Sequence, residues 1–354
     1  MARTMENVSA LIAELMERLA AQSHQAASQE LAALALDSMV QLTEAQAGYC
    51  VLRREDTGLE LAAITGAGSH SEALVTSPAA LENLARLAHP IRIDDEKTAE
   101  LRQALECLPR LRADVLIPLL AGGQFVGLIA LALPETIPGE LLSPLERLAA
   151  FAAALLLNTL REEERDEALT TLSAALGDLV DVRMGGDTTH SDRVAAYSAM
   201  TASQLGWHHD ETVNIRRAGH LHDLGKATLA DDLLHRKGRL TAEELNTVRA
   251  AMVEGAHVLR NVPGLKASAL LIRHQGERWD GQGYPDGLAG ESIPAGARVL
   301  AVAHRFAVAL MPRGERGPIV RIGTALGILE RETGTAFDPR IVAAFMAAMG
   351  RANP

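Results

Sequence analysis

The sequence predicts an α+β chain of two unlike halves: a mixed α/β half, a long connecting helix, and an all-α half. Three observations point there. Extended apolar runs broken by turn residues fill residues 49 to 131, an uninterrupted helical pattern runs from about Ser143 to Val182, and beyond Gly185 the apolar spacing is helical with short loops. The chain has 354 residues, more than one ordinary core organises, so about two domains of ~150 to 200 residues are expected.

The segment from Met5 to about Leu36 carries Val8, Leu11, Leu15 and Leu19 at spacings of three and four, which predicts one amphipathic helix. Tyr49 to Arg53 and Leu59 to Ile64 flank Glu55-Asp56-Thr57-Gly58, the chemistry of a hairpin. A short strand is expected at Ile91 to Ile93. Two further apolar runs, Ala113 to Leu120 and Gln124 to Leu131, meet at Gly122-Gly123 and predict a second hairpin.

In the long helix, Leu145, Leu148, Ala152 and Leu155, then Leu169, Leu172, Leu176 and Leu179, alternate spacings of three and four around the charged run Arg161 to Glu167. At ~1.5 Å per residue the helix extends ~60 Å. Two readings follow: a surface helix with a solvated charged patch, or a parallel two-stranded helix that pairs subunits through residues such as Leu148 and Leu155.

Composition narrows the function. The chain is 48% hydrophobic and 22% charged, which suits a globular protein. A formal net charge of -11, from 34 Lys+Arg against 45 Asp+Glu, argues against coating a nucleic acid polymer or an anionic membrane. The aromatic content of 3% leaves little for a base-stacking platform. Leu145 to Leu157 is interrupted by Glu146 and Arg147 and is too short to span a bilayer. Cys50 and Cys107 lack metal-type spacing and are read as small core residues. A cytoplasmic location is expected.

Helix, hairpin, short strand, hairpin and long exit helix together resemble a GAF domain over roughly residues 25 to 160. That resemblance implies a small α/β sensory module upstream of a signalling output, and it leaves the GAF ligand unspecified. The expected organisation is an N-terminal helix at 1–24, a GAF-like domain at 25–160 whose exit helix continues to about 182, and a helical domain at 183–354.

In the second half the ionisable residues cluster. Thr189 and Asp192 read as a capping box that puts His190 in the first turn of a helix. His222-Asp223 closes another helix and is followed by Gly225-Lys226. Adjacent helical side chains diverge by ~100°, so this pair shares one metal only if another helix supplies more ligands. His190 is the evident donor.

With Lys237 to Glu244, Trp279-Asp280-Gly281-Gln282-Gly283-Tyr284-Pro285, the stretch from Ile293 to Ala303, and Ala336-Phe337-Asp338-Pro339, the sequence from about Asp181 to Met346 resembles the HD-GYP family. The resemblance implies an all-α domain that hydrolyses the bacterial second messenger cyclic di-GMP with two or three metal ions, usually iron or manganese. On that pattern His190, His222 and Asp223 are retained. Other expected ligands fall on Ala251, Gln275, Gly276, Ala307 and, for a glutamate found in some members, Gly186. An expected aspartate is His304 instead. His274 stands one residue from the expected His-His pair, and His257 faces away from the Ala251 position. His208, His209, His220 and His235 match no ligand position.

His190, His222, Asp223 and His304 therefore make a four-ligand set for one divalent metal (iron, manganese or zinc), and no second metal is expected. The resemblance makes Lys226 the phosphate-facing cation and, with Asp223, the catalytic pair if the domain is active. It assigns nucleotide binding to Lys226, Gly283, Tyr284, Pro285, Arg313 and Arg316, although the two arginines also fit a solvated loop. The expected protein is a homodimeric signalling molecule that binds cyclic di-GMP or a signalling protein partner, with weak or no hydrolysis. The alternative is an active single-metal phosphodiesterase.

Overall fold

A computed structural model describes residues 5–23, 26–54, 58–66, 73–75, 84–92, 113–134, 137–185, 189–236, 238–311 and 321–352. The chain divides into two compact units, Met1–Glu164 and Arg165–Pro354. Among the described residues no helix is long and apolar enough to cross a membrane.

In the first unit, helices α1 (Met5–Ser23) and α2 (Ser28–Thr43) precede an antiparallel sheet of β1 (Ala47–Arg54), β2 (Gly58–Thr65), β3 (Ala73–Val75), β4 (Ile91–Arg92), β5 (Val115–Ala121) and β6 (Gln124–Ala132), in the order β3-β2-β1-β6-β5-β4. Both predicted hairpins form. Gly122 and Gly123 take φ of 57° and 82°, the left-handed pair that a tight two-residue hairpin turn demands and that side chains resist.

The single helix expected from Met5 to about Leu36 is instead two. Ala27 is extended, and the Glu163 carboxylate accepts hydrogen bonds from the Ser28 backbone N–H (2.7 Å) and hydroxyl (2.8 Å), so an acid 135 residues away caps α2. Alternation along the strands sends Cys50, Leu52, Ile117 and Ile129 into one core with α1 and α2, and Tyr49, Val51, Leu116 and Leu128 into a second on the other face. Cys50 is fully buried, and burial pushes its thiol up to about 12. Cys107 lies outside the described residues.

The long helix, α3, runs Gly139–Arg183. Leu148 is fully buried in the first unit's core and Leu155 packs against it. These residues therefore hold that unit together, which corrects the expectation that they form a subunit seam: a spacing of three and four marks any packed stripe, and here the sheet and α2 supply the partner.

The second unit comprises the end of α3 with α4 (His190–Gln204), α5 (His209–Leu221), a 3-10 turn (Leu224–Thr228), α6 (Asp231–Leu234), α7 (Ala242–Leu259), α8 (Lys266–His274), α9 (Ala295–Leu310), α10 (Ile322–Glu332) and α11 (Pro339–Ala352). Its centre is an edge-to-face cluster of Tyr197, Phe306 and Phe345, with ring centroids 4.9 to 6.0 Å apart. Buried Arg217 ties α3 to this unit through hydrogen bonds to Asp166 and Thr170. Asp338 accepts from the Arg340 backbone N–H and from Arg298, which explains the Phe-Asp-Pro stretch as the start of α11.

Thr241 and Glu244 form a reciprocal capping box at the start of α7. Thr241→Ala is expected to lower the stability of this unit by ~1 kcal/mol, read as a shift in the urea midpoint. An unchanged midpoint would show that the exposed cap contributes nothing.

Candidate metal centre

Two helix ends and the middle of a third helix meet to form the site. Helix α4 begins at His190, α5 ends at Leu221 so that His222 closes it and Asp223 follows, and His304 projects from the middle of α9. Thr189 stands at the N-cap of α4 without capping it through its side chain, which corrects the expected capping box. Asp181 takes that role, accepting from the Ser191 backbone N–H and hydroxyl at 2.9 Å each. The turn after Asp223 lies flat on α7. A Cβ on Gly225 would collide with the Ala251 carbonyl, so only glycine allows this approach.

His190, His222, Asp223 and His304 each offer a ligand atom within 4.8 Å of the others. The ring centroids lie 4.8 to 5.7 Å apart. Both nitrogens of His222 are constrained. Nδ1 lies 2.8 Å from the Gly219 carbonyl oxygen, which only accepts, so Nδ1 carries the hydrogen. Nε2 is then 3.4 Å from the Asp223 carboxylate and has no hydrogen-bond partner. The oxygen it faces, Oδ2, is already paired with Lys226, and a proton or a metal at Nε2 would complete the match between this lone pair and the anion. The buried atoms Asp223 Oδ1 and His190 Nδ1 also lack hydrogen-bond partners. This donor set fits a divalent ion.

The protonation states agree. Burial, helped by neighbouring His222, lowers His190 to about 4. Burial, again with His222, holds His304 well below the ordinary imidazole value. Burial would raise Asp223, but His222 and Lys226 outweigh it and keep the carboxylate far below its usual range. Neutral imidazoles beside an ionised carboxylate are the forms that bind a metal. Lys226 Nζ donates to Asp223 Oδ2 at 2.6 Å, which leaves Oδ1 as the open oxygen.

Among the described residues the remaining expected positions hold no imidazole or carboxylate. Ala251 and Ala307 are buried packing residues, and Gln275 donates from its amide nitrogen to the His222 carbonyl at 2.8 Å. A Cβ on Gly276 would lie 2.5 Å from the Tyr284 ring, so that ring occupies the space of a side chain at 276. Arg249 sits 4.9 Å above the same ring.

Gly283, Tyr284 and Pro285 lie in a loop closed by Glu277, which accepts from the Asp286 and Leu288 backbone N–H groups. His274 is turned to this loop, its Nδ1 being 3.5 Å from Asp286, and it does not join the four donors. Arg313 and Arg316 lie outside the described residues, as do Gly186 and Asp187. His208, His209, His235 and His257 are exposed, whereas His220 is buried against Asp192. Sequence reasoning missed Asp181, Arg249 and Glu277. Only Glu277 carried a signal, lying beside Arg278 directly ahead of the Gly-Tyr-Pro stretch.

Residues 174–341 match the HD domain family. Over 199 residues the chain is 35% identical to the cyclic di-GMP phosphodiesterase response regulator RpfG of Xanthomonas campestris pv. campestris (strain 8004), covering 56% of this chain and 50% of that protein. Over 184 residues it is 32% identical to 3'3'-cGAMP-specific phosphodiesterase 3 of Vibrio cholerae serotype O1, covering 52% of this chain and 40% of that one. A solved cyclic GMP-AMP specific phosphodiesterase of V. cholerae aligns at 22% identity and a TM-score of 0.42, covering 52% of this chain and 49% of its own. The chain thus spans half or less of the length of these relatives. The four donors lie inside the matched residues.

Proposed function

We propose that this chain is a signalling protein whose HD domain binds a cyclic dinucleotide beside one divalent cation and hydrolyses it weakly or not at all. In this reading residues 1–24 are an N-terminal helix, 25–160 a GAF-like sensory domain with an unidentified ligand, and 183–354 the HD-GYP-like output. The supporting observation is the His222 Nε2 lone pair aimed at Asp223, in a cluster of three imidazoles and one carboxylate with Lys226 at its edge. A bound divalent ion, held by His190, His222, Asp223 and His304, would supply Lewis acidity toward a phosphoryl oxygen.

The chain's own residues supply recognition. Lys226 offers a cation to a phosphate and orients Asp223. Tyr284 and Arg249 present a stacked ring and guanidinium beside the Gly283-Tyr284-Pro285 loop. Ala251, Gly276 and Ala307 provide no donor side chain for a bridged pair of ions, and Gln275 offers only a neutral amide oxygen, which favours binding over turnover. The relatives' printed activities and the intact four-donor set favour a second reading, a single-metal phosphodiesterase in which Asp223 and Lys226 act on the phosphodiester.

Titration with cyclic di-GMP and with 3'3'-cGAMP, with and without manganese, separates the two. Saturable binding that Lys226→Ala weakens, with the dinucleotide recovered intact, is the expected result. Linear dinucleotide formed at an ordinary enzymatic rate would establish the phosphodiesterase, and no binding of either compound would remove the nucleotide reading.

A further inference from the structure

His274, Glu277 and Asp286 gather at the foot of the Gly283-Tyr284-Pro285 loop, as a group separate from the four donors of the metal centre. His274 is the last residue of α8, Glu277 follows three residues later, and Asp286 comes directly after Pro285. The group therefore joins a helix end to both sides of the loop. His274 is only 8% exposed, and among the described residues its Nδ1 has no hydrogen-bond partner. A buried ring nitrogen left in that state is rare in a folded chain.

The spacing around Nδ1 is that of a coordination shell. Nδ1 lies 3.5 Å from Asp286 Oδ2 and 3.9 Å from Glu277 Oε1. Both separations exceed the ~3.2 Å reach of a good N–H···O hydrogen bond, so a proton on Nδ1 serves neither oxygen well. Two donors held at ~2.0 to 2.2 Å by a tetrahedral ion stand ~3.4 Å apart. The three donor atoms all lie within 4.8 Å of one another, so small shifts close them on one ion.

The oxygens have room for it. Each Glu277 oxygen accepts one backbone N–H from the loop and keeps a second lone pair. Arg273 donates to Asp286 at 2.8 Å on Oδ1 and only 3.3 Å on Oδ2, which leaves Oδ2 open toward His274. One guanidinium against two carboxylates leaves a negative charge unbalanced within this group.

We propose that His274, Glu277 and Asp286 bind a divalent cation of the zinc class, with water completing the shell, at a site distinct from the centre at His222-Asp223. One imidazole with two carboxylates suits zinc. Exposed Asp286 gives the ion its way in, and the bound ion ties α8 to the Gly-Tyr-Pro loop. Three donors, one of them shared with Arg273, hold an ion more weakly than four, so the site fills when zinc is supplied rather than during purification. The proposal does not depend on what the HD domain binds.

The test is equilibrium dialysis of the full chain against zinc, in the wild type and in His222→Ala, each with and without His274→Ala. In both backgrounds His274→Ala should remove one zinc per chain, and Asp286→Asn should weaken that zinc at least tenfold. In the wild type, zinc should slow amide exchange at Asp286 and Leu288 at least tenfold, an effect that His274→Ala should abolish. Equal zinc content with and without His274→Ala in either background would overturn the site, as would unchanged exchange at those two amides under saturating zinc. If His274→Ala does not fold, Asp286→Asn at its exposed position decides alone, and undiminished zinc affinity there overturns the site. A zinc lost only on His222→Ala belongs to the other centre, so the two sites are read separately.

Discussion

His222→Ala is expected to empty the metal centre. Wild-type protein purified without chelator should carry close to one divalent ion per chain, and the variant should lose affinity by more than about 100-fold. Losing an outer partner of a ligand already costs ~10 to 100-fold, and here the ligand itself is removed. The substitution also leaves the buried Asp223 carboxylate without the cation that His222 would help to hold beside it. Element analysis with calorimetric titration reads the result. His257→Ala, at an exposed position, is the control and should leave the metal content unchanged. Full occupancy in His222→Ala would mean that the ion is held elsewhere, and an empty wild type would leave the lone pair facing Asp223 to a proton.

Acid should unfold the metal-free protein early, and the imidazoles set the window. His190 is buried and lies at about 4 when folded, against 6.5 for an ordinary histidine. Above about pH 6.5 it is neutral in both states and costs nothing. As pH falls toward 4, the unfolded chain takes up a proton that the folded chain refuses, and stability is lost by roughly 3 kcal/mol for this residue. His304 is displaced in the same direction and adds to the loss. Asp223 is depressed instead, so the stability it contributes is present above its ordinary carboxylate value and disappears only below this window. Urea unfolding of chelator-treated protein between pH 7 and 4 should show this slope, and His190→Gln should flatten it. Equal slopes in wild type and His190→Gln would place the acid sensitivity in other groups.

What the sequence made legible differs between the site and the helices. The grouping of His190 with His222 and Asp223 could be read because the last two are covalent neighbours at a helix end that needs a donor from another helix, whereas His304 joined them only through the resemblance to the HD-GYP pattern. The seating of Tyr284 against Gly276 could not, because a missing side chain leaves no trace of what fills its space. Along α3 the apolar spacing marked both Leu148 and Leu172, yet one enters a core and the other meets solvent. Periodicity fixes a face, and only the rest of the fold says what covers it. The break between α1 and α2 depends on Glu163, which no local pattern around Ser28 reveals.

The tyrosine ring lying over Gly276 bears on how this protein could change. An imidazole reinstated at 276 by a single replacement would find its place taken and would have to evict an aromatic ring that Arg249 braces from above. Restoring a donor there is therefore a coordinated change at two points of the chain, and a screen of single histidine insertions for regained second-ion chemistry would pass over it.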